Sequence, residues 1–190
     1  MKRTFFSFLL LVVIISSCTK GYAPKPRGYF RIDMPEKKYI HYVSPDCPFE
    51  FDLPVYAEVK KDTNRLAEPC WMYVVFPSLN AQLYLTYKTI NNDMEKYAED
   101  SRTMVYKHTV KASAIDENVI NNTQNHVHGI MYDIGGNAAS NLQFYVTDSV
   151  NHFIRASLYF NAPPQSDSLA PSISFVRGDI LRLVNTLKWK

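Results

Sequence analysis

Apolar and polar residues alternate in several segments of this chain, and this period of two is the feature that most restricts its fold. Phe49, Phe51 and Leu53, for example, alternate with Glu50 and Asp52. Such alternation places the apolar side chains on one face of a β-strand. Two other stretches have helical spacing. The order strands, helix, strands, helix, with short connections, predicts an α+β fold in which an antiparallel β-sheet is covered by two main helices.

The boundaries of the elements follow from the two periods. A first helix is expected from Asn92 or Asp93 to about His108, and a second from about Leu169, with Pro171 in its first turn. The second strand is expected to pair with the first, and residues 188–190 to be the docked end of the last helix. The predicted strands cover residues 49–53, 57–61, 70–76, 83–87, 112–120, 126–134, 142–148 and 152–160.

The first 17 residues have the organisation of a secretory signal peptide. Lys2 and Arg3 precede an uninterrupted apolar run over residues 8–15, and two serines then precede Cys18. The run is shorter than the roughly 20 residues that a membrane-spanning helix needs. Residues 1–17 are therefore predicted to be removed from the mature protein.

The position of Cys18, directly after small residues, resembles the lipobox of bacterial lipoproteins. The resemblance implies diacylation of the Cys18 thiol, cleavage before it and acylation of the new amino terminus. Two or more acyl chains hold a protein stably on a membrane. The alternative is an ordinary signal peptide with a chance cysteine at its boundary.

Residues 18–40 are predicted to be a tether that joins the lipidated cysteine to a single α+β domain over residues 41–190. Pro24, Pro26 and Pro35 lie among basic residues, and proline-rich segments are extended and stiff. Two interpretations of the basic residues stay open, contact with anionic lipid headgroups or a solvated leader.

Net charge gives no indication of nucleic-acid binding. The full chain has 21 Lys and Arg against 18 Asp and Glu, and loss of Lys2 and Arg3 leaves 19 against 18. No cluster of basic residues marks one face of an element.

Cys47 and Cys70 remain once Cys18 is assigned to lipid. Outside the cytoplasm two thiols often pair, and a disulfide closing this loop would contribute about 3 kcal/mol. The alternative is a pair of small buried apolar residues.

No constellation of residues in the sequence indicates catalysis or a cofactor. His126 and His128 alternate on a predicted strand and are weak candidates for a metal pair, but zinc usually takes three or four ligands. The sequence has no G-x-S-x-G motif, and Gly135-Gly136 lacks the spacing and the lysine of a phosphate loop. We therefore predict neither an enzyme nor a metal site, and no cofactor.

Three strand tyrosines, Tyr84, Tyr145 and Tyr159, lie opposite or beside the apolar sets. They are expected either to pack beneath a helix or, if exposed, to form a patch for a protein partner.

Several segments together resemble the GldD family of gliding-motility lipoproteins from Bacteroidetes. The segment PKPRGYFRID at residues 24–33 is the most specific, and PFEF at 48–51, HFIRASLYF at 152–160 and LKW at 187–189 also match. The resemblance covers essentially the whole mature chain. It implies an envelope lipoprotein associated with gliding and type IX secretion. The order of strands and helices also resembles the PsbP-type α/β sandwich. It assigns no residue a function except Cys18.

The partners implied are the lipid bilayer, through acylated Cys18, and other envelope proteins of the same apparatus. Residues 19–22 lack the acidic stretch that surface-exported lipoproteins of this phylum often carry. This favours an outer-membrane anchor with the domain facing the periplasm. The alternative function is a small-ligand-binding envelope lipoprotein with a pocket lined by tyrosines.

Substitution of the proposed lipid-bearing residue gives a direct test. We expect Cys18→Ala to lose lipid labelling and to keep its signal peptide, because both steps need the thiol. Metabolic labelling with a fatty acid and the mass of the purified protein measure the two effects. A variant that still carries the lipid label would contradict the assignment.

Overall fold

The computed structural model describes residues 31–190, so the predicted signal peptide and Cys18 lie outside the described residues. The elements in chain order are β1 (Tyr39–Val43), β2 (Phe49–Pro54), β3 (Glu58–Lys61), β4 (Met72–Phe76), β5 (Ala81–Thr89), α1 (Met94–Tyr106), β6 (Ala112–Asn122), β7 (Val127–Gly136), β8 (Ser140–Thr147), β9 (His152–Phe160), α2 (Ser166–Thr186) and β10 (Lys188–Trp189). Two short 3-10 helices cover Pro77–Leu79 and Lys107–Val110.

The strands form two antiparallel sheets. A three-stranded sheet has the order β1-β2-β10, and a seven-stranded sheet has the order β3-β4-β5-β9-β8-β7-β6. The predicted α+β class, with antiparallel strands and two main helices, is confirmed. The expected single sheet is in fact two. None of the helices in residues 31–190 is both long and apolar enough to cross a membrane.

The alternation along β9 shows how the seven-stranded sheet separates two layers. Ile154, Ala156 and Leu158 are buried on the inner face, in a core shared with α2 and the three-stranded sheet. Arg155 and Ser157 therefore lie on the outer face. The period of two in the sequence thus assigns alternate residues of β9 to the inner and outer faces of the sheet.

Helix α1 covers part of the outer face. Its Val105 belongs to a small second core with Tyr132 and Ile134 of β7, and the ring of Tyr97 lies 5.5 Å from that of Phe153 in β9. Helix α1 packs mainly against β8 and β9. Tyr84 of β5 is 40% exposed, so the helix leaves this part of the outer face uncovered.

The expected pairing of the second strand with the first is wrong. Strand β3 pairs with β4, with Val59 opposite Val74, and lies in the other sheet. The turn after β2 explains the change, because the Ala57 N–H donates to the carbonyl of Pro54, 2.9 Å away, and redirects the chain. The period of a segment predicts that it forms a strand, but it does not predict which other strand it pairs with.

Both ends of the last helix differ from expectation. Helix α2 begins at Ser166, where the Oδ1 of Asn137 accepts the Ser166 N–H at 3.0 Å, so Pro171 lies in the second turn. Residues 188–190 do not extend the helix. Lys188 and Trp189 form β10 on β2, because Leu187 is buried in an extended conformation that turns the chain back to the sheet.

Candidate functional site

The carboxylate of Asp179 in α2 is buried and joins segments that are far apart in the sequence. Its Oδ1 accepts hydrogen bonds from Lys37 Nζ at 3.0 Å and from the Tyr39 hydroxyl at 2.8 Å. Its Oδ2 accepts one from the Tyr56 hydroxyl at 2.6 Å. We call these four residues the leader clamp, because Lys37 and Tyr39 belong to the predicted tether over residues 18–40.

The clamp satisfies a buried charge with one cation and two neutral donors, as such a charge requires. The Asp179 side chain has no exposed area, whereas that of Lys37 is 37% exposed. Burial, and then the hydrogen bond to Asp179, raise the pKa of Tyr39 to about 12, and the same causes raise the pKa of Tyr56. Both phenols are therefore protonated donors at neutral pH.

Gly178 makes room for the lysine of the clamp. A Cβ atom at this position would lie 2.7 Å from Lys37 Nζ, closer than van der Waals contact allows. Lys37 Nζ also donates to the carbonyl of Phe175 at 3.0 Å and lies 4.4 Å from the centre of its ring. Glycine weakens a helix by itself. Here its small size leaves space for the Lys37 side chain, which crosses α2 at this position.

The cysteines lie beside a cavity at the edge of the domain. The Cα atoms of Cys47 and Cys70 are 5.6 Å apart, within the range of a disulfide, and their sulfur atoms are in bonding contact. The cavity has a volume of about 290 Å3. Its walls include both cysteines together with Tyr42, Val59, Trp71 and Met72. The disulfide in the exported protein stays a prediction.

The two histidines do not share a strand face. His126 precedes β7 in a turn, with φ of 52°, and its carbonyl accepts the indole N–H of Trp189 at 3.0 Å. His128 lies in β7, where Nδ1 is 3.0 Å from Asn121 Oδ1. Within residues 31–190 no three His, Cys, Asp or Glu side chains are grouped to hold a metal ion.

The strand tyrosines divide between the two expected environments. Tyr145 stacks on Phe153, with ring centres 5.3 Å apart, and packs against the small core under α1. Tyr84 is 40% exposed on the outer face. Its ring meets those of Tyr73 and Tyr159 edge to face, at 4.7 and 5.3 Å.

We call Tyr73, Tyr84 and Tyr159 the outer tyrosine face. Tyr73 was not predicted as a member of this face, although its alternation with apolar Met72 and Val74 indicates a side chain on the polar face of the strand. Asp179 was not predicted as a site residue either. It directly precedes Ile180 and lies on the apolar stripe of α2. A charged residue within such a stripe indicates a buried partner elsewhere in the chain.

Removal of the cation in the leader clamp should destabilise the domain. Lys37→Met leaves the buried carboxylate with neutral donors only, and we expect a loss of about 2 kcal/mol, below the cost for a fully buried pair because Lys37 is partly solvated. Urea unfolding of the detergent-purified protein measures it. Lys38→Met is the matched control, since Lys38 pairs with Glu36 in solvent. Equal stability of the two variants would contradict a clamp.

The disulfide prediction is tested on protein taken from the cell envelope. We expect no free thiol at Cys47 or Cys70 until reductant is added, and a lower midpoint of thermal unfolding afterwards, because the closed loop restricts the unfolded chain. Mass shifts after maleimide labelling, with and without reductant, count the thiols. Two reactive thiols in the untreated protein would overturn the pairing.

Comparisons with known proteins identify the family. Residues 19–189 match the family model described as gliding motility lipoprotein GldD. No curated protein matches this sequence. Among solved structures, the chain is similar to PsbP (CyanoP) from Synechocystis sp. PCC 6803, with 11% identity, a TM-score of 0.49, and coverage of 93% of this chain and 99% of that one. The family match extends over nearly all of the 190 residues, so this chain belongs to the GldD family of gliding motility lipoproteins.

Proposed function

We propose that this protein is a membrane-anchored accessory lipoprotein of the gliding and type IX secretion machinery, and that it acts by binding other envelope proteins. The observation that carries the proposal is the family match over residues 19–189. Motility by gliding depends on assemblies in the cell envelope, and a lipid-anchored domain without a catalytic motif suits a role in assembly. We propose no catalytic activity for it.

The proposed anchor is the acylated Cys18, in the outer membrane, with the domain in the periplasm. The absence of an acidic stretch at residues 19–22 supports this orientation. The leader clamp adds a mechanical argument. Because Lys37 and Tyr39 bond to Asp179 of α2, the last residues of the predicted tether are attached to the domain. A pulling force on the proposed lipid anchor would thus be transmitted to α2 in the core of the domain as well as to strand β1.

The proposed contact surface is the outer tyrosine face. Tyrosine is enriched in protein interfaces because it buries a large apolar ring while its hydroxyl keeps a polar contact. Here three rings are already locked against one another, so little side-chain freedom remains to be lost on binding. The face lies beside α1, which leaves it accessible.

Deletion and complementation test the proposed function. We expect loss of the gene to reduce export of type IX cargo, measured by immunoblot of the culture fluid, and the wild-type gene to restore it. Tyr84→Ala combined with Tyr159→Ala should restore it poorly, because the ring pair that would meet the partner is gone. Tyr106→Ala is the control, since Tyr106 is 37% exposed but lies on α1 and donates to Glu117 of β6. Normal export after deletion would refute the proposal.

A second candidate is a small-ligand-binding envelope lipoprotein. It is favoured by the cavity beside the cysteines, whose volume of about 290 Å3 is close to the lower limit of ligand pockets, about 300 Å3. Aromatic and aliphatic side chains form part of its wall. Normal cargo export in the deletion strain would favour this function over the first.

A further inference from the structure

The outer face of the seven-stranded sheet carries a polar row beside the outer tyrosine face. The strand register places Tyr84 opposite Ser157, Ser157 opposite Gln143, and Gln143 opposite Tyr132. Arg155 lies two residues before Ser157 on the same face of β9. The row therefore brings a cation, an amide and three hydroxyl groups to adjacent strands.

Arg155 has no carboxylate as an ion-pair partner in the described part of the chain. Its Nη2 donates to Gln143 Oε1 at 2.7 Å, and within residues 31–190 no Asp or Glu oxygen lies within 4 Å of its guanidinium. The arginines of α2 differ, because Arg177 pairs with Asp133 and Arg182 with Asp52. Arg155 is half-buried, and burial lowers its pKa, so its charge is held where water solvates it poorly.

Gln143 has a buried donor without an acceptor. The residue is 1% exposed, and its Oε1 accepts from both Arg155 Nη2 and Ser157 Oγ, which fixes the orientation of the amide. Its Nε2 has no hydrogen-bond partner in the described part of the chain. The neighbouring hydroxyl of Tyr132 is buried and unpartnered too, and burial raises its pKa to about 12. Native proteins leave few such groups, and each needs an explanation.

The described neighbours of Arg155 in the strand register do not neutralise its charge. His108, in the short 3-10 helix after α1, has a lowered pKa because of burial and, second, the charge of Arg155. Tyr145 and Thr86 are the strand neighbours that face Arg155 in the register, and neither is acidic. An unpaired guanidinium beside spare N–H and O–H donors has the composition of a receptor for an anion.

We propose that the half-buried guanidinium of Arg155, oriented by its bond to Gln143, receives an aspartate or glutamate side chain of a protein partner docked on the outer tyrosine face. The proposal rests on the proposed function, because it names the chemistry by which the domain holds its partner. A planar carboxylate matches the fork of the guanidinium, which has donors left after its bond to Gln143. The exposed Tyr84, on the neighbouring strand, would cover the partner backbone around the acidic residue.

The sharpest variant is Gln143→Glu. It places a carboxylate of the chain itself against Arg155 and removes the unpartnered Nε2. We therefore expect the variant to fold, and its midpoint of thermal unfolding to be equal to or higher than that of the wild type. Its own carboxylate would then compete with the carboxylate of a partner for Arg155. Arg155→Lys keeps the charge but loses the fork. Arg65→Met removes a charge from an exposed arginine in the segment between β3 and β4 and serves as the control for net charge.

The first experiment measures binding of a defined probe to the full-length lipoprotein in detergent. The probe is glutamate blocked at both backbone ends, with blocked glutamine as its matched control, and the readout is the 15N signal of Arg155 Nε. We expect saturable shifts with the glutamate probe only, weakened about tenfold or more by Gln143→Glu and by Arg155→Lys, and unchanged by Arg65→Met. No shift with the glutamate probe, or equal shifts with both probes, would overturn the proposal.

The second experiment separates a protein partner from a small anion. A photo-crosslinking amino acid replaces Tyr84 in the cell, and crosslinks to envelope proteins are compared between Gln143 and Gln143→Glu backgrounds. Loss of crosslinks with Gln143→Glu, but not with Arg65→Met, supports the site. Crosslinks that persist would overturn the site and leave the proposed function standing. Acetate binding as tight as that of blocked glutamate, with no crosslinks at all, would indicate a small-anion site and refute the docked partner.

Discussion

The buried carboxylate of Asp179 is the interaction on which the arrangement of the domain depends. It binds side chains from the leader, from the first strand and from the turn before β3, and it does so from the middle of the longest helix. A charge with no solvent contact is tolerated only when its oxygens are satisfied. The three donors together satisfy both oxygens, and the clamp joins the leader to α2.

The clamp also links the segment before β1 to the rest of the domain. Helix α2 packs on β2 and, through buried residues such as Val176, Ile180 and Leu183, on the inner face of the seven-stranded sheet. The leader thus ends on the element that closes the main core. The opposite face of the same sheet carries the tyrosines and Arg155. Lys37 and the proposed partner surface are consequently connected through one packed sheet.

Much of the fold was predictable because it depends on local patterns. The alternation along residues 152–160 and 142–148 located β9 and β8, and helical spacing located α1 and most of α2. Other features depend on distant residues. Asn137 moves the start of α2 to Ser166, and Pro48 accepts the N–H of Lys190 beside the short β10. Neither contact can be predicted from the spacing of apolar residues in the helix or strand whose position it fixes.

The sequence by itself determined the class of the fold, the order of strands β2 to β9 and the two helices, and the family, because alternation, helical spacing and the leader motif are properties of neighbouring residues. It did not predict β1 or β10. Only the tertiary structure decided that the strands form two sheets, that Lys37 reaches Asp179 across Gly178, and that Arg155 has no carboxylate partner within residues 31–190. The physical reason is the same in each case. Strand pairing and charge compensation join residues that are separated by tens of positions, and the chain has to be packed before they meet.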